Sequence, residues 1–285
     1  MKTIQAWKVE TAALLKEAGL ASTADLDARL LLQMATGYDQ AKQILLYDRV
    51  LTDAQLHKLS SIREDRLRHK PMAYILGCKE FYGRNFLVDE RTLIPRPDTE
   101  TLIEAVIAFS KGKQQPPSII DLCCGSGCIG ITLALELDAN VTLSDLSEDA
   151  LSVARENAKR LLSKPVTFLQ GDLLSPTDKI YDIIVSNPPY LTAAWCDEVS
   201  NEVRWEPRLA LEGFSEDGLG LIRKLVKESG NHLCCGGALF LECDYRQAKD
   251  VAELLSSHRF TDVCIERDLS DRDRVVWGVL ACTNS

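Results

Sequence analysis

The second half of the chain alternates short runs of branched apolar residues with longer segments of helical spacing. The apolar runs cover residues 118–122, 141–144, 166–169, 181–186 and 238–242. Buried parallel strands read as continuous apolar runs, and parallel neighbours need a crossover, so this order predicts a doubly wound parallel α/β sheet. Two later runs, 263–266 and 275–280, have little chain between them. We therefore expect the final pair of strands to be antiparallel.

The first part of the chain has a different pattern. Apolar residues recur at helical spacing from Ile4 to about His69, which predicts a small helical bundle. Aromatic and branched residues around Gly83 then predict a β-hairpin. The sequence thus predicts a helical N-terminal domain over 1–72, a hairpin linker over 73–95 and the α/β domain over 96–285.

Composition limits the classes of protein to which the chain can belong. No apolar run reaches the roughly 18 residues of a membrane span, and the N-terminus lacks a secretory signal pattern, so we expect a cytoplasmic protein. A net charge of −9 opposes a large nucleic-acid footprint. A basic stretch at residues 63–70 is typical of a solvated helix face, and a surface that meets an acidic partner is the alternative.

The ten cysteines show no Cys-x-x-Cys pair and no small secreted framework. The sequence therefore predicts free thiols. It also predicts no metal site, because no pair of cysteines or histidines has the spacing of zinc ligands.

A glycine-rich turn follows the first apolar run, which ends near Asp121, and a helical pattern begins after it. The turn consists of Cys123, Cys124, Gly125, Ser126 and Gly127. Such a turn lets a ligand approach the backbone and the helix N-terminus. With Gly130 it also matches the dinucleotide-binding fingerprint, and Asp145 lies 20 residues after Gly125. A nicotinamide-dependent dehydrogenase therefore stays open at this point.

Acidic residues near the ends of the predicted strands favour a cationic ligand. Asp121 lies where a carboxylate would repel a pyrophosphate but could hold the amino group of S-adenosylmethionine. Asp145 is placed to accept hydrogen bonds from ribose hydroxyls. Asp172 could receive the adenine amino group, with Leu173 against the ring. Each acid taken singly could equally be a helix cap.

The segment Asn187-Pro188-Pro189-Tyr190 follows the fourth apolar run, at the sheet edge where ligands bind in such folds. Two prolines also terminate a strand, so a purely structural role is the alternative. In the functional interpretation, Asn187 offers its side-chain oxygen and Pro188 its carbonyl, which together grip a planar NH2 group. Tyr190 offers a ring on which that group can stack. These three residues are the candidate catalytic residues for methyl transfer to an amide or an exocyclic base amine.

With these motifs the chain closely resembles the release factor glutamine methyltransferase family, along nearly its whole length. Besides the glycine turn and the Asn187–Tyr190 segment, the resemblance rests on residues 71–77 (Pro-Met-Ala-Tyr-Ile-Leu-Gly), 93–100 (Leu-Ile-Pro-Arg-Pro-Asp-Thr-Glu) and 203–207 (Val-Arg-Trp-Glu-Pro). It implies a class I, Rossmann-like, seven-stranded methyltransferase domain that follows a helical N-terminal domain, in which residues 1–72 would recognise the substrate. It also implies methyl transfer from S-adenosylmethionine to the glutamine of the release factor's Gly-Gly-Gln motif.

The resemblance also implies roles for individual residues. Residues 123–127, Asp145, Leu173 and Asn187 would contact the cofactor, and residues 187–190, including Pro189, would hold the glutamine. Arg96 and Glu100 would line or brace the substrate entrance, or act as a structural cap. One departure concerns Cys123, because the family has glycine at this place in Gly-Thr-Gly-Ser-Gly. We expect cofactor binding to survive there, with weaker affinity or sensitivity to thiol oxidation.

Other activities share parts of this pattern. An adenine methyltransferase would use the same Asn-Pro-Pro-Tyr grip but would need a basic groove or a target-recognition domain. A glutamine methyltransferase acting on a ribosomal protein differs from this family chiefly in the amino-acid sequence at residues 95–100. A non-catalytic cofactor-binding module would normally have lost Asn187. We expect a monomer that acts on release factors and has no nucleic-acid target.

Overall fold

The computed structural model describes residues 1–112 and 114–282. These residues form two compact units. The first contains residues 1–77 together with the short segment 200–205, and the second contains the described residues of 78–199 and from 206 onward. The functional assignment of the predicted regions 1–72, 73–95 and 96–285 stays a prediction. Among the described residues, no helix combines the length and apolar character that a membrane span requires.

The first unit is helical. Its helices are α1 (Ile4–Glu17), α2 (Ala24–Thr36), α3 (Gln40–Leu45), α4 (Asp53–Leu67) and α5 (Met72–Leu76). Trp7, Leu31 and Leu59 are fully or almost fully buried in its core. Thr52 begins α4 with a capping box that pairs its side chain and backbone with Gln55, and Gly37 ends α2 in the left-handed conformation at φ 71°.

Arg66 departs from the prediction that the basic stretch is a solvated face. Its side chain is only 1% exposed and forms ion pairs of 2.8 Å with both Asp27 and Glu202. It also donates to the backbone carbonyl of Lys70 at 3.1 Å. The segment 200–205 thus belongs to this unit through a buried charge network, which residue spacing in the sequence does not show.

The second unit is built on a seven-stranded sheet formed by described residues, with strand order β5-β4-β3-β6-β7-β9-β8. The strands of this sheet are β3 (Ser118–Leu122), β4 (Asn140–Asp145), β5 (Thr167–Gln170), β6 (Tyr181–Ser186), β7 (Leu233–Glu242), β8 (Phe260–Arg267) and β9 (Asp273–Leu280). The strands β3 to β7 run parallel to one another, and β9 runs antiparallel to both β7 and β8. The predicted fold class and the antiparallel final pair are confirmed.

Helices cover both faces of this sheet. They are α6 (Glu100–Ser110), α7 (Cys128–Leu137), α8 (Glu148–Leu161), α9 (Ala193–Glu198), α10 (Gly220–Ser229) and α11 (Ala248–Ser256). The helices α6, α7 and α8 contribute to one hydrophobic cluster, and α10 and α11 to the other. The hairpin β1 (Cys78–Phe81) and β2 (Arg84–Leu87) buries Phe81 and Phe86 in the first cluster. The hairpin therefore packs as part of the second unit.

The prediction that the cysteines are free is wrong for one pair. Cys235 and Cys282 form a disulfide with Cα atoms 4.9 Å apart, although they are 47 residues apart in sequence. The antiparallel register pairs Ala238 with Val279. It thereby places Cys235 of β7 opposite Cys282, which follows the end of β9. Strand pairing, which the spacing of cysteines does not reveal, decides this bond.

Candidate active site

The carboxyl ends of four adjacent strands define the candidate site. In the order β5-β4-β3-β6 these strands end at Gln170, Asp145, Leu122 and Ser186. The chain reverses its direction of winding between β3 and β6, and ligands of doubly wound sheets bind at such a point. The sequence-predicted loops after these strands are thereby brought to one edge of the sheet.

The turn after β3 has a backbone that favours glycine at three positions. Cys123, Gly125 and Gly127 have φ of 56°, 54° and 78°. The turn is closed by a 2.7 Å hydrogen bond from the Gly127 N–H to the Cys124 carbonyl oxygen. A Cβ atom built on Gly125 meets no heavy atom within 4 Å, so the backbone there borders open space that a ligand can enter.

Cys123 therefore occupies a conformation that L-residues other than glycine rarely adopt. This geometry gives a physical reason why glycine is the expected residue at this place. Burial, followed by the nearby Asp145 carboxylate, raises the pKa of the Cys123 thiol. The thiolate fraction at neutral pH is consequently small, which argues against rapid oxidation of this cysteine.

Asp145 joins the glycine turn to the start of α8. One carboxylate oxygen accepts from the Gly125 N–H at 2.9 Å, and the other accepts from the Ser147 N–H at 2.9 Å. Burial raises the pKa of this carboxyl, and the backbone hydrogen bonds oppose that rise. Each oxygen keeps acceptor capacity beyond these bonds. Asp145 thus has the geometry of a rigid hydrogen-bond acceptor for hydroxyl groups.

Asp121 lies behind the turn and is fully buried. One of its oxygens accepts from the Gly130 N–H at 2.8 Å, whereas Oδ1 has no hydrogen-bond partner within the described parts of the chain. Burial raises the pKa of this carboxyl to about 8. Asp121 does not line the cavity described below. An orphaned buried acceptor nevertheless suits the ammonium group of a ligand, directly or through water.

Asp172 and Leu173 follow β5 and differ in environment. Asp172 is exposed and ion-paired with Lys224 on α10. Leu173 is 5% exposed and has a left-handed φ of 52°. Leu173 therefore supplies a fixed apolar surface, whereas Asp172 has a competing cationic partner.

These loops surround a cavity of about 830 Å³, a volume that includes its open mouth. The predicted residues among its lining are Cys123, Gly125, Asp145, Asp172, Leu173, Asn187 and Pro189. The open space at Gly125, the acceptors of Asp145 and the apolar surface of Leu173 fit a nucleoside bearing a cationic tail, such as S-adenosylmethionine. The predicted residues Cys124, Ser126, Gly127, Pro188 and Tyr190 lie outside this lining.

Asn187 stands at the cavity edge directly after β6. Its side-chain nitrogen lies 3.5 Å from the hydroxyl oxygen of Thr99, to which it donates. Pro188 is buried next to it. Tyr190 is held at both ends, because its hydroxyl lies 3.4 Å from Glu242 Oε1 and its carbonyl accepts from Gln247 at 2.8 Å. The segment is thus fixed by contacts to distant elements.

Arg96 and Glu100 flank Thr99 in the sequence but make structural contacts. Arg96 forms an ion pair with the buried side chain of Glu206, which also accepts from the Ile94 N–H at 3.1 Å. Glu100 accepts from the Tyr82 N–H at 3.0 Å and so ties α6 to the hairpin. Neither residue lines the cavity. Both contacts are those of bracing residues.

Sequence reasoning missed two parts of the cavity wall. Arg91, Thr92 and Leu93 contribute from the segment after the hairpin, and Pro207, Leu209, Ala210 and Phe214 contribute from the segment before α10. Leu209 and Phe214 are 43% and 57% exposed and so offer apolar surface to a ligand. No periodic pattern marks these irregular segments, so the sequence carried no signal beyond their nearness to recognised motifs.

The chain also resembles known proteins. A family model for the methyltransferase small domain matches residues 99–203, and one for the PrmC N-terminal domain matches residues 7–77. The release factor glutamine methyltransferase of Neisseria gonorrhoeae is 39% identical over 264 residues, which are 91% of this chain and 95% of that protein. That of Chlorobaculum tepidum is also 39% identical, over 87% of this chain and 88% of that protein.

Solved structures agree in fold. A methyltransferase from Pyrococcus furiosus superposes with a TM-score of 0.54 at 16% identity, covering 78% of this chain and all of that chain (100%). The fold and the sequence matches together show that the chain is a methyltransferase that belongs to the release factor glutamine methyltransferase family.

Proposed function

We propose that the chain transfers the methyl group of S-adenosylmethionine to the side-chain amide nitrogen of a glutamine in a peptide-chain release factor. The target glutamine is that of the Gly-Gly-Gln motif, and the second product is S-adenosylhomocysteine. The names of the relatives and the acceptor-rich site beside the cavity support this proposal. Methylation of that motif would tune translation termination.

Residues around the cavity would hold the cofactor. When bound, S-adenosylmethionine supplies an electrophilic methyl group on its sulfonium. Asp145 would accept hydrogen bonds from the ribose hydroxyls, since its carboxylate lines the cavity and is held rigidly by Gly125 and Ser147. Leu173 would pack on the adenine, and the Oδ1 of Asp121, which is unpaired among the described residues, would accept a hydrogen bond from the amino group, directly or through water. The residues 123–127 would lie along the cofactor through their backbone.

Asn187 and Pro188 would present two oxygen acceptors to the NH2 group of the glutamine. Tyr190 would stack on the planar amide. The lone pair of an amide nitrogen is delocalised, and full loss of this conjugation would cost about 18–20 kcal/mol. The site therefore acts mainly by alignment, which contributes roughly 7–11 kcal/mol for well-oriented reactants. A charged base is not needed, because the nitrogen becomes acidic as it is alkylated.

The observation that carries this proposal is the 3.5 Å contact of the Asn187 nitrogen with the Thr99 hydroxyl. Because that contact directs the NH2 end of the amide toward Thr99, its oxygen is left to accept from a substrate NH2 group. A nicotinamide-dependent dehydrogenase would have no use for such a group. An adenine methyltransferase would, but the net charge of −9 does not favour a nucleic-acid target.

The test uses purified protein, methyl-labelled S-adenosylmethionine and a release factor, beside a release factor whose Gly-Gly-Gln glutamine is changed to alanine. We expect label on the normal factor alone. Label on both factors would move the modified residue elsewhere. No label on either, with cofactor binding confirmed by titration, would overturn the proposed substrate and direct the search to ribosomal proteins and nucleic acids. The cytoplasmic location and the monomeric state stay predictions.

A further inference from the structure

Glu242 is a buried acid next to the candidate active site to which the proposed function gives no role. It ends β7, where its neighbour Leu241 pairs with Ser186 of β6, and it is only 1% exposed. Its Oε1 lies 3.4 Å from the Tyr190 hydroxyl, and its Oε2 has no hydrogen-bond partner in the described portion of the protein. Burying a carboxyl with one unpaired oxygen costs folding free energy, which is typical of a group with a functional role.

Thr99 connects this acid to Asn187. The Thr99 hydroxyl lies close enough to Glu242 to lower the pKa of its carboxyl as a hydrogen-bond donor does, and the Asn187 nitrogen lies 3.5 Å from the same hydroxyl. A hydroxyl has a single hydrogen to donate, and a carboxylate can only accept. When Glu242 is ionised, the Thr99 hydrogen must point to it. The Thr99 oxygen is then free to accept only from the NH2 end of Asn187, and the Asn187 oxygen faces the opposite way.

We propose that Glu242 is a positioning residue for the methyl transfer, which sets the orientation of the Asn187 amide through the Thr99 hydroxyl and holds the Tyr190 ring by its own hydrogen bond. The inference rests on the proposed function, since it explains how the acceptor oxygen of Asn187 comes to face the substrate amide. Glu242 itself does not touch the reacting atoms in this scheme.

The surroundings of Glu242 place the ionisation of its carboxyl near neutral pH. Burial raises the pKa of its carboxyl to about 7, although the Thr99 hydrogen bond and the charge of Arg274 lower it. The charge of Asp98 raises the pKa of Glu242 further, and Asp98 also forms an ion pair of 3.4 Å with Arg274. Burial also raises the pKa of Tyr190, so this neighbour stays protonated at neutral pH.

The remaining titratable groups around Glu242 do not change charge in this range. Cys128 from α7 and Cys243, next along the chain, both have thiol pKa values raised to about 12, mainly by burial. The nearby Asp244 has a lowered pKa and stays ionised. Asp268, which accepts from Arg274 at 3.1 Å, also has a lowered pKa.

Below about pH 7 the protonated Glu242 can donate to Thr99, and Thr99 can then donate to a flipped Asn187 amide. We therefore expect turnover to rise with pH through about 7.

The first test compares the wild type with Glu242→Gln, which keeps the shape of the side chain but not its charge. We expect turnover at pH 8 to fall by about tenfold or more, because small misalignments of reacting groups cost factors of this order. The rise of turnover through pH 7 should disappear, and the affinity for S-adenosylmethionine should stay within about twofold. The control Glu253→Gln makes the same change at an exposed position of α11 and should leave turnover and its pH profile unchanged.

Two substitutions at Thr99 separate positioning from packing. Thr99→Val keeps the volume but removes the hydroxyl, and should reproduce the loss seen with Glu242→Gln. Thr99→Ser keeps the hydroxyl and should retain most of the turnover. The combined Thr99→Val and Glu242→Gln variant should lose no more than either alone, since both break the same connection. Equal turnover of the valine and serine variants would overturn the proposal, even if Glu242→Gln failed to fold.

A readout without turnover distinguishes this inference from the proposed function. The side-chain NH2 signals of Asn187, followed by nitrogen NMR, should shift with a midpoint near pH 7 in the wild type and not in Glu242→Gln. Signals that do not shift in the wild type would overturn the role of Glu242. If the wild type shows this shift but methylates no release factor, the proposed substrate fails while the positioning role of Glu242 stands.

Discussion

The side-chain nitrogen of Asn187 lies 3.5 Å from the hydroxyl oxygen of Thr99, although the two residues are 88 positions apart in the sequence. Thr99 is 2% exposed and belongs to the short 3-10 turn Pro97–Thr99 that leads into α6. The two motifs that the sequence shows as separate segments are therefore parts of one site. In the proposed function, the orientation of the Asn187 amide toward the substrate depends on both.

Replacing Asn187 by alanine tests that grip. We expect Asn187→Ala to lower turnover by about 100-fold or more, because a poorly nucleophilic amide depends on its alignment. Affinity for the cofactor, measured by calorimetric titration, should fall much less. Asn231→Ala, at an exposed loop position, serves as the control. Turnover of Asn187→Ala equal to that of the wild type would refute the assigned role.

Asp145 and Asp172 should contribute unequally to cofactor binding. Asp145 is held by two backbone hydrogen bonds of 2.9 Å, whereas Asp172 is exposed and paired with Lys224. Hydrogen bonds to charged groups contribute about 1.5–3 kcal/mol. Asp145→Ala should thus weaken S-adenosylmethionine binding by roughly 10- to 150-fold, and Asp172→Ala by a smaller factor. The dissociation constants of the two folded variants check this order, and a larger loss at Asp172 would contradict it.

The left-handed backbone at Cys123, with φ of 56°, predicts an unusual effect of removing a half-buried side chain. A residue with a Cβ atom costs about 1–2 kcal/mol in this conformation, whereas the extra freedom of glycine in the unfolded chain costs about 0.5–1 kcal/mol. Cys123→Gly should therefore leave the free energy of unfolding unchanged or raise it by up to about 1.5 kcal/mol.

Denaturant unfolding measures this change, and the neighbouring Cys124 provides the comparison. Cys124 is 4% exposed and does not share the left-handed φ of Cys123, so Cys124→Gly should lower stability. We also expect cofactor affinity in Cys123→Gly to equal or exceed that of the wild type. A clear loss of stability in Cys123→Gly would show that packing of the thiol outweighs backbone strain.

The buried ion pairs of Arg66 predict a large effect far from the candidate active site. Arg66→Ala leaves Asp27, whose side chain is 3% exposed, without its cation. Breaking a buried pair from one side typically costs about 3–5 kcal/mol. Thermal and denaturant unfolding should show this loss. The control Arg68→Ala should change stability by less than about 0.5 kcal/mol, because the Arg68 side chain is 67% exposed and its ion pair with Glu64 is long, at 3.8 Å. Similar stabilities of the two variants would contradict the structural role of Arg66.

The sequence by itself determined the fold class and the position of the main loops. The apolar runs ending near Leu122, Asp145 and Ser186 correspond to strands β3, β4 and β6, because the local pattern of a buried strand does not depend on distant residues. Helix starts such as Thr52 were also readable, since capping uses side chains within one turn. The motif at Asn187–Tyr190 was recognised from its residue types alone.

Tertiary structure decided what depends on pairing between distant segments. The register of β7 and β9 places Cys235 opposite Cys282, and folding of the first unit buries Arg66 against Asp27. The cavity wall near Phe214 comes from irregular chain without periodicity. The environment of Glu242, which gives its carboxyl a pKa of about 7, arises only when β7, Thr99 and Tyr190 meet. Burial and long-range contacts set these properties, and a local sequence pattern does not encode them.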